Sequence, residues 1–110
     1  MDSTVMVRTI DNASVVTVIG DVDIHTAAAL LDTISPLIGS GKRVIVDLTG
    51  VGFLDSSGLS VFVTALKRAK EKNARIALVI TDPRVLKVFT ITGLDTLIDI
   101  HESADSINFA

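Results

Sequence analysis

The run Phe53-Leu54-Asp55-Ser56-Ser57-Gly58-Leu59 sets two adjacent hydroxyls, an acid and a glycine between an apolar strand pattern and an amphipathic helix pattern. In α/β proteins that junction is a common place for chemistry, because the first amides of a helix have no partner within it. A phosphate there meets N–H donors and the positive end of the helix dipole. The same residues also serve plain helix capping. Asp55 or Ser56 caps and Gly58 permits a tight turn, a device worth about 1 kcal/mol.

A second candidate is Gly20-Asp21-Val22-Asp23, an acidic break between a strand and a helix. If the exits of the second and third strands share one sheet edge, this loop lies near Ser56. Two carboxylates can bind Mg²⁺ or perform acid–base work. They supply too few oxygens for a dedicated metal site, so a solvated loop or a partner contact is the simpler reading. A Ser56-His25-Asp triad is the enzyme reading, but no nucleophile-elbow sequence surrounds Ser56. His25 reads as a surface residue at a helix start, and His101 lies in an unrelated context. No glycine-rich nucleotide loop is present. Catalytic and metal-binding residues are therefore not expected, nor is a cofactor.

Composition narrows the classes further. The 110 residues carry a net charge of −3 and are 48% hydrophobic, enough for one domain with a core between a sheet and its helices. The acidic balance argues against direct nucleic-acid binding. The lack of Trp and Tyr weighs against stacking on bases. Cysteine is absent, which excludes disulfides and thiolate metal sites and is consistent with a cytoplasmic location. No stretch reaches the length of a membrane span, and Met1-Asp2-Ser3-Thr4 has no signal-peptide character.

Elements that position these residues follow from periodicity. Val5 to Thr9 and Val15 to Ile19 predict a hairpin around the turn Asp11-Asn12-Ala13-Ser14. Ala27, Leu30, Leu31, Ile34, Leu37 and Ile38 fall on one helical face, with His25 and Thr26 near the start. Pro36 should kink or tighten the last turn before Gly39-Ser40-Gly41 ends it. Arg43 to Leu48 predicts a buried strand, followed by a loop at Thr49-Gly50-Val51-Gly52 that Phe53 and Leu54 anchor to the core. The second helix should bury Leu59, Phe62, Val63, Leu66 and Ala69, with Lys67, Arg68, Lys70 and Lys72 at its C-terminal end. Arg75 to Ile80 predicts another strand. Asp82 and Pro83 start a third helix that carries Val85, Leu86, Val88 and Phe89 and stops at Gly93. Leu97 to Ile100 predicts an edge strand, and Ser103 to Phe109 a final helical turn or two. The order β-β-α-β-α-β-α-β-α implies an α/β fold, with an N-terminal hairpin, a mixed but mostly parallel sheet and helices packed on it.

Three segments carry a resemblance over essentially the whole chain: Gly20-Asp21-Val22-Asp23 with Thr26-Ala27, Val46-Asp47-Leu48 through Gly52-Phe53-Leu54-Asp55-Ser56-Ser57-Gly58-Leu59, and Thr92-Gly93-Leu94. The chain resembles STAS-domain proteins of the anti-sigma factor antagonist family, which implies a single STAS-like domain over residues 1–110. The resemblance makes Ser56 the phosphoacceptor and assigns Asp21, Asp23, Asp55, Ser57 and Gly58 to partner binding. It implies a partner switch in the cytoplasm. The unmodified protein binds an anti-sigma factor that is also a serine kinase, and so frees a sigma factor. Phosphorylation by that kinase, with ATP and Mg²⁺, ends the binding, and a metal-dependent serine phosphatase resets it. A non-phosphorylated scaffold or sensor STAS module is the alternative. The chain departs from the family pattern at Asp21, where glutamate is usual, at Ser60, where glycine is common, and at Pro36.

Overall fold

A computed structural model describes residues 3–41 and 43–107. Its β-branched opening segments pair as an antiparallel hairpin of β1 (Thr4–Ile10) and β2 (Ala13–Val22). The turn between them is only Asp11-Asn12, with Asp11 in the left-handed region at φ 53°. The chain then alternates through α1 (Ala27–Gly39), β3 (Arg43–Leu54), α2 (Ser56–Lys72), β4 (Arg75–Val79), α3 (Pro83–Thr92) and β5 (Asp99–His101). Strands β2 to β5 run parallel, giving a five-stranded sheet in the order β1-β2-β3-β4-β5. The expected α/β architecture is the observed one.

One sheet face, bearing Val16, Val44, Val46 and Leu78, packs against Leu30, Ile34, Phe62 and Phe89 of the three helices. The Phe62 and Phe89 rings lie 5.7 Å apart in a tilted arrangement and knit α2 to α3. Arg68 of α2 donates to the Ser35 hydroxyl of α1. The opposite face holds a smaller cluster of Val15, Ile45 and Val79, against which Ala13 and Ile107 pack.

Several elements differ from expectation. Gly20, Asp21 and Val22 are the end of β2, not a break. Likewise Thr49 to Gly52 is strand, so β3 runs for 12 residues. The cause is two irregularities in the β2–β3 register, between Thr17 and Ile19 and between Ile19 and Asp21, where β3 carries an extra residue each time. Each extra residue resets the inside–outside alternation. Leu48, Val51 and Leu54 therefore face the core at a spacing of three instead of two. Gly50 fits because a Cβ there would lie 3.1 Å from Ile19 Cγ1. Leu54 is buried as expected, whereas Phe53 is exposed.

Helix α2 is also rotated from its expected face. It buries Gly58, Val61, Phe62, Ala65 and Ala69, leaving Leu59 and Leu66 half-buried and Val63 exposed. Small residues at Gly58, Ala65 and Ala69 let the helix approach the sheet closely. Asp82 caps α3, with Pro83 at its first position and Gly93 closing it at φ 78°, as expected. Leu97 follows a 3₁₀ turn at Leu94–Thr96 and lies outside the edge strand, which is β5 at Asp99–His101. The last predicted helix is one 3₁₀ turn at Ala104–Ser106, and its expected continuation to Phe109 lies outside the described residues.

Phe62 has no solvent exposure and joins two helices to the sheet. Phe62→Ala should lower unfolding free energy by about 3–5 kcal/mol. Urea denaturation checks this, and a loss below about 1 kcal/mol would contradict the packing described.

Candidate functional site

Parallel pairing brings the C-terminal ends of β2 and β3 side by side, with Asp21 opposite Phe53 and Val22 opposite Leu54. The acidic loop and the Asp55-Ser56-Ser57-Gly58 run therefore leave one sheet edge together, as the sequence predicted. Two further links fasten them. The Asp55 N–H donates to the Val22 carbonyl at 3.3 Å. Gly58 sits so close to that strand end that a Cβ would lie 2.7 Å from the Val22 carbonyl oxygen and 2.9 Å from both Leu54 Cγ and Val22 Cγ1. No side chain fits there.

The capping task falls to Asp55 alone. Its Oδ1 accepts from the Ser57 N–H at 2.9 Å and the Gly58 N–H at 3.1 Å, and its carbonyl from the Leu59 N–H. This corrects one expectation, since those two first-turn amides are already engaged and are not open donors for a phosphate. Ser56 is the first helical residue and is exposed, and its hydroxyl makes no hydrogen bond among the described residues. Ser57 is half-buried. Ser60 is exposed and donates to the Ser56 carbonyl at 2.9 Å, so its hydroxyl is accommodated within α2.

The neighbouring loop is held by its own side chains. Asp23 Oδ1 accepts from the His25 N–H at 2.9 Å, and the Thr26 hydroxyl donates to the Asp21 carbonyl at 3.0 Å while accepting from the Asp23 N–H. The His25 amide and the Thr26 hydroxyl hold the Asp23 carboxyl below the ordinary value, so it is anionic at neutral pH. His25 takes part through its backbone, and no hydrogen bond joins it to Ser56 among the described residues, so the triad does not assemble. No group of three or more metal-ligating side chains occurs among the described residues.

Sequence reasoning missed two features of this edge. Ile24 is 71% exposed and Phe53 51% exposed, so apolar side chains flank the acids. Phe53 was expected in the core, and only the bulged register of β3 turns it outward. Arg84 is the other. Its guanidinium lies 3.6 Å from where a Gly52 Cβ would be, which sets the start of α3 beside β3 just before the Ser56 loop. Asp82 holds Arg84 through an ion pair at 2.8 Å.

A family model for the STAS domain matches residues 4–107. The chain belongs to the STAS domain family. Two curated relatives of this STAS protein are anti-sigma-B factor antagonists. That of Bacillus subtilis (strain 168) is 31% identical over 105 residues, 96% of each chain. That of Staphylococcus aureus (strain NCTC 8325 / PS 47) is 30% identical over 87 residues, 78% of this chain and 81% of that one. The crystal structure of an anti-sigma factor antagonist from Mycobacterium paratuberculosis superposes with a TM-score of 0.87 at 28% identity, over 94% of this chain and 89% of that one. No helix among the described residues of this STAS domain is long and apolar enough to cross a membrane.

Gly58→Ala should destabilise the domain by about 1–3 kcal/mol, because the strand end it meets is backbone. Denaturant unfolding reads this, and an unchanged midpoint would refute the close approach. A second expectation concerns pH. Arg84 and its backbone amide hold Asp82 at about 2, below the usual 3.8. A depressed carboxylate stabilises the fold fully above the unfolded value, and that contribution fades as pH falls towards the folded one. Asp82→Asn should therefore lose less stability than the wild type between about pH 5 and pH 2. Parallel acid-unfolding curves for the two proteins would contradict it.

Proposed function

We propose that this STAS protein is an anti-sigma factor antagonist that works as a phosphorylation-controlled partner switch. In its unmodified form it binds an anti-sigma factor that is also a serine kinase, and a sigma factor is released. Phosphorylation of Ser56 ends that binding, and a metal-dependent serine phosphatase restores it. The whole chain, residues 1–110, acts as one binding module in the cytoplasm and performs no catalysis of its own. The observation that carries this reading is the Ser56 hydroxyl. It is exposed and unbonded at the start of α2 because Asp55 has taken the capping role. The names of the curated relatives support the same reading.

Asp21 and Asp23 would meet cationic groups of the kinase, with Ile24 and Phe53 as apolar anchors beside them. Asp55, Ser57 and Gly58 would shape the surface presented around the hydroxyl. Phosphoserine adds about −1.5 to −2 charges. The Ser57 and Gly58 amides are occupied by Asp55, so a phosphate on Ser56 would find neither of those donors open and would stand at the surface. Its bulk and charge then fall on the interface, close to three carboxylates.

Mass spectrometry after incubation with ATP, Mg²⁺ and candidate anti-sigma kinases of the same genome tests the proposal. The expected result is one phosphate on Ser56, with release from the kinase. Ser56→Ala should remain bound, and Ser56→Asp should bind at least about tenfold more weakly. A folded protein that binds such a kinase but is never modified would favour the scaffold alternative. Tight binding by Ser56→Asp would sink the electrostatic account.

A further inference from the structure

The two edges of the sheet are built differently. β5 is three residues long, Asp99–His101, and is acidic at its start. Edges of that kind resist pairing because they are short and charged. β1 is seven residues, TVMVRTI, with one charge, no proline and no irregularity in its register with β2. Its outer side presents an unbroken row of peptide groups with no partner among the described residues. Met6 is 52% exposed, Val7 47% and Ile10 46%. None of the usual protections against strand addition is present beyond Arg8.

We infer that β1 pairs antiparallel with β1 of a second copy of this chain, joining two sheets into one of ten strands. The occupant is a second copy because the strand is complementary to itself. Side chains alternate across the sheet, so Val5, Val7 and Thr9 share the helix-bearing face and Thr4, Met6, Arg8 and Ile10 the other. Pairing centred on Val7 sets Val7 against Val7, Met6 against Arg8, Val5 against Thr9 and Thr4 against Ile10. This register uses all seven residues. Residues of one parity always face each other in it, so outward amides meet outward carbonyls. It also keeps the two Arg8 side chains from standing directly opposite, whereas centring on Arg8 would oppose like charges. The two half-exposed Val7 side chains cover each other, and Met6 lies along the apolar stem of Arg8.

The resulting two-fold axis is normal to the sheet. The α-helices all lie on one face, and the two Ser56 edges point in opposite directions, each separated from the seam by β1 and β2. Both sites stay accessible in the dimer. The seam is small beside the roughly 1,600 Å² of a standard interface, so the expected dissociation constant is about micromolar or weaker.

Sedimentation of the full chain from micromolar to millimolar concentration tests this. The wild type should shift from monomer to dimer. Val7→Lys and Val7→Glu should each weaken association at least about tenfold, because like charges meet on the axis. Their equimolar mixture should restore a dimer, since every mixed pair is then oppositely charged. A wild type that stays monomeric throughout would overturn the proposal, as would a dimer indifferent to both variants. Hydrogen exchange on the wild type gives a readout independent of variant folding. The outward amides of β1 should gain protection as concentration rises, and unchanged exchange there would also overturn it.

Discussion

The close approach of α2 to the end of β2 is the constraint on which the rest depends. The Val22 carbonyl receives the Asp55 N–H and lies where a Gly58 side chain would be. One peptide group thus fixes both the distance and the direction of the helix start. From there α2 can lie flat on the sheet only by facing it with small side chains, which Ala65 and Ala69 provide. Phe62 then reaches Phe89 and seats α3. The bulges of β3 serve the same junction. They lengthen β3 against β2 so that Leu54 arrives opposite Val22, and they keep Leu48, Val51 and Leu54 all directed inward.

Capping chemistry determines what remains available at the surface. An aspartate at Asp55 satisfies two amides with one oxygen, which leaves the following hydroxyl without structural work. Had Ser56 been the cap, its hydroxyl would have been tied to the helix and its modification would have cost the helix its start. The order acid-then-serine separates the two roles. The cap rests on the Asp55 carboxylate, and the Ser56 hydroxyl carries no hydrogen bond among the described residues. The acidic loop shows the same economy. Thr26 and the His25 amide hold the loop through Asp23 and the Asp21 carbonyl, while Ile24 stands out into solvent between them.

Much of this was legible in the chain. Alternation and helical spacing placed the hairpin, α1 and α2, and Asp82-Pro83 with Gly93 bounded α3 closely. Proximity of the acidic segment to Ser56 followed from parallel strand order alone. What escaped was everything governed by the bulges. Thr49-Gly50-Val51-Gly52 looks like a loop because its glycines and broken alternation are the marks of one, and only the pairing with Ile19 makes it strand. Phe53 then faces outward because of a register that a single segment does not encode. The rotation of α2 was missed for a related reason. Ranking by apolarity selects Val63, whereas close packing on Gly58 selects Val61 and Ala65. The signal was present in the small residues, spaced by seven and four, and points to contact distance instead of hydrophobicity.

A switch at Ser56 would inherit this rigidity. Shifting a partner from almost fully bound to almost fully free requires a difference of about 5.5 kcal/mol between the two states of the protein. A flexible loop could absorb a phosphate by moving away and would pass little of that difference to the partner. Here the helix start is fastened on three sides, by the Asp55 cap, the Val22 carbonyl and the packing of Gly58. The modified side chain has little backbone motion through which to retreat, and the Ser57 and Gly58 amides are already engaged. The unfavourable energy must therefore appear where a partner is seated. On this argument the glycine is as much a part of the proposed switch as the serine, since it transmits the charge by preventing relaxation.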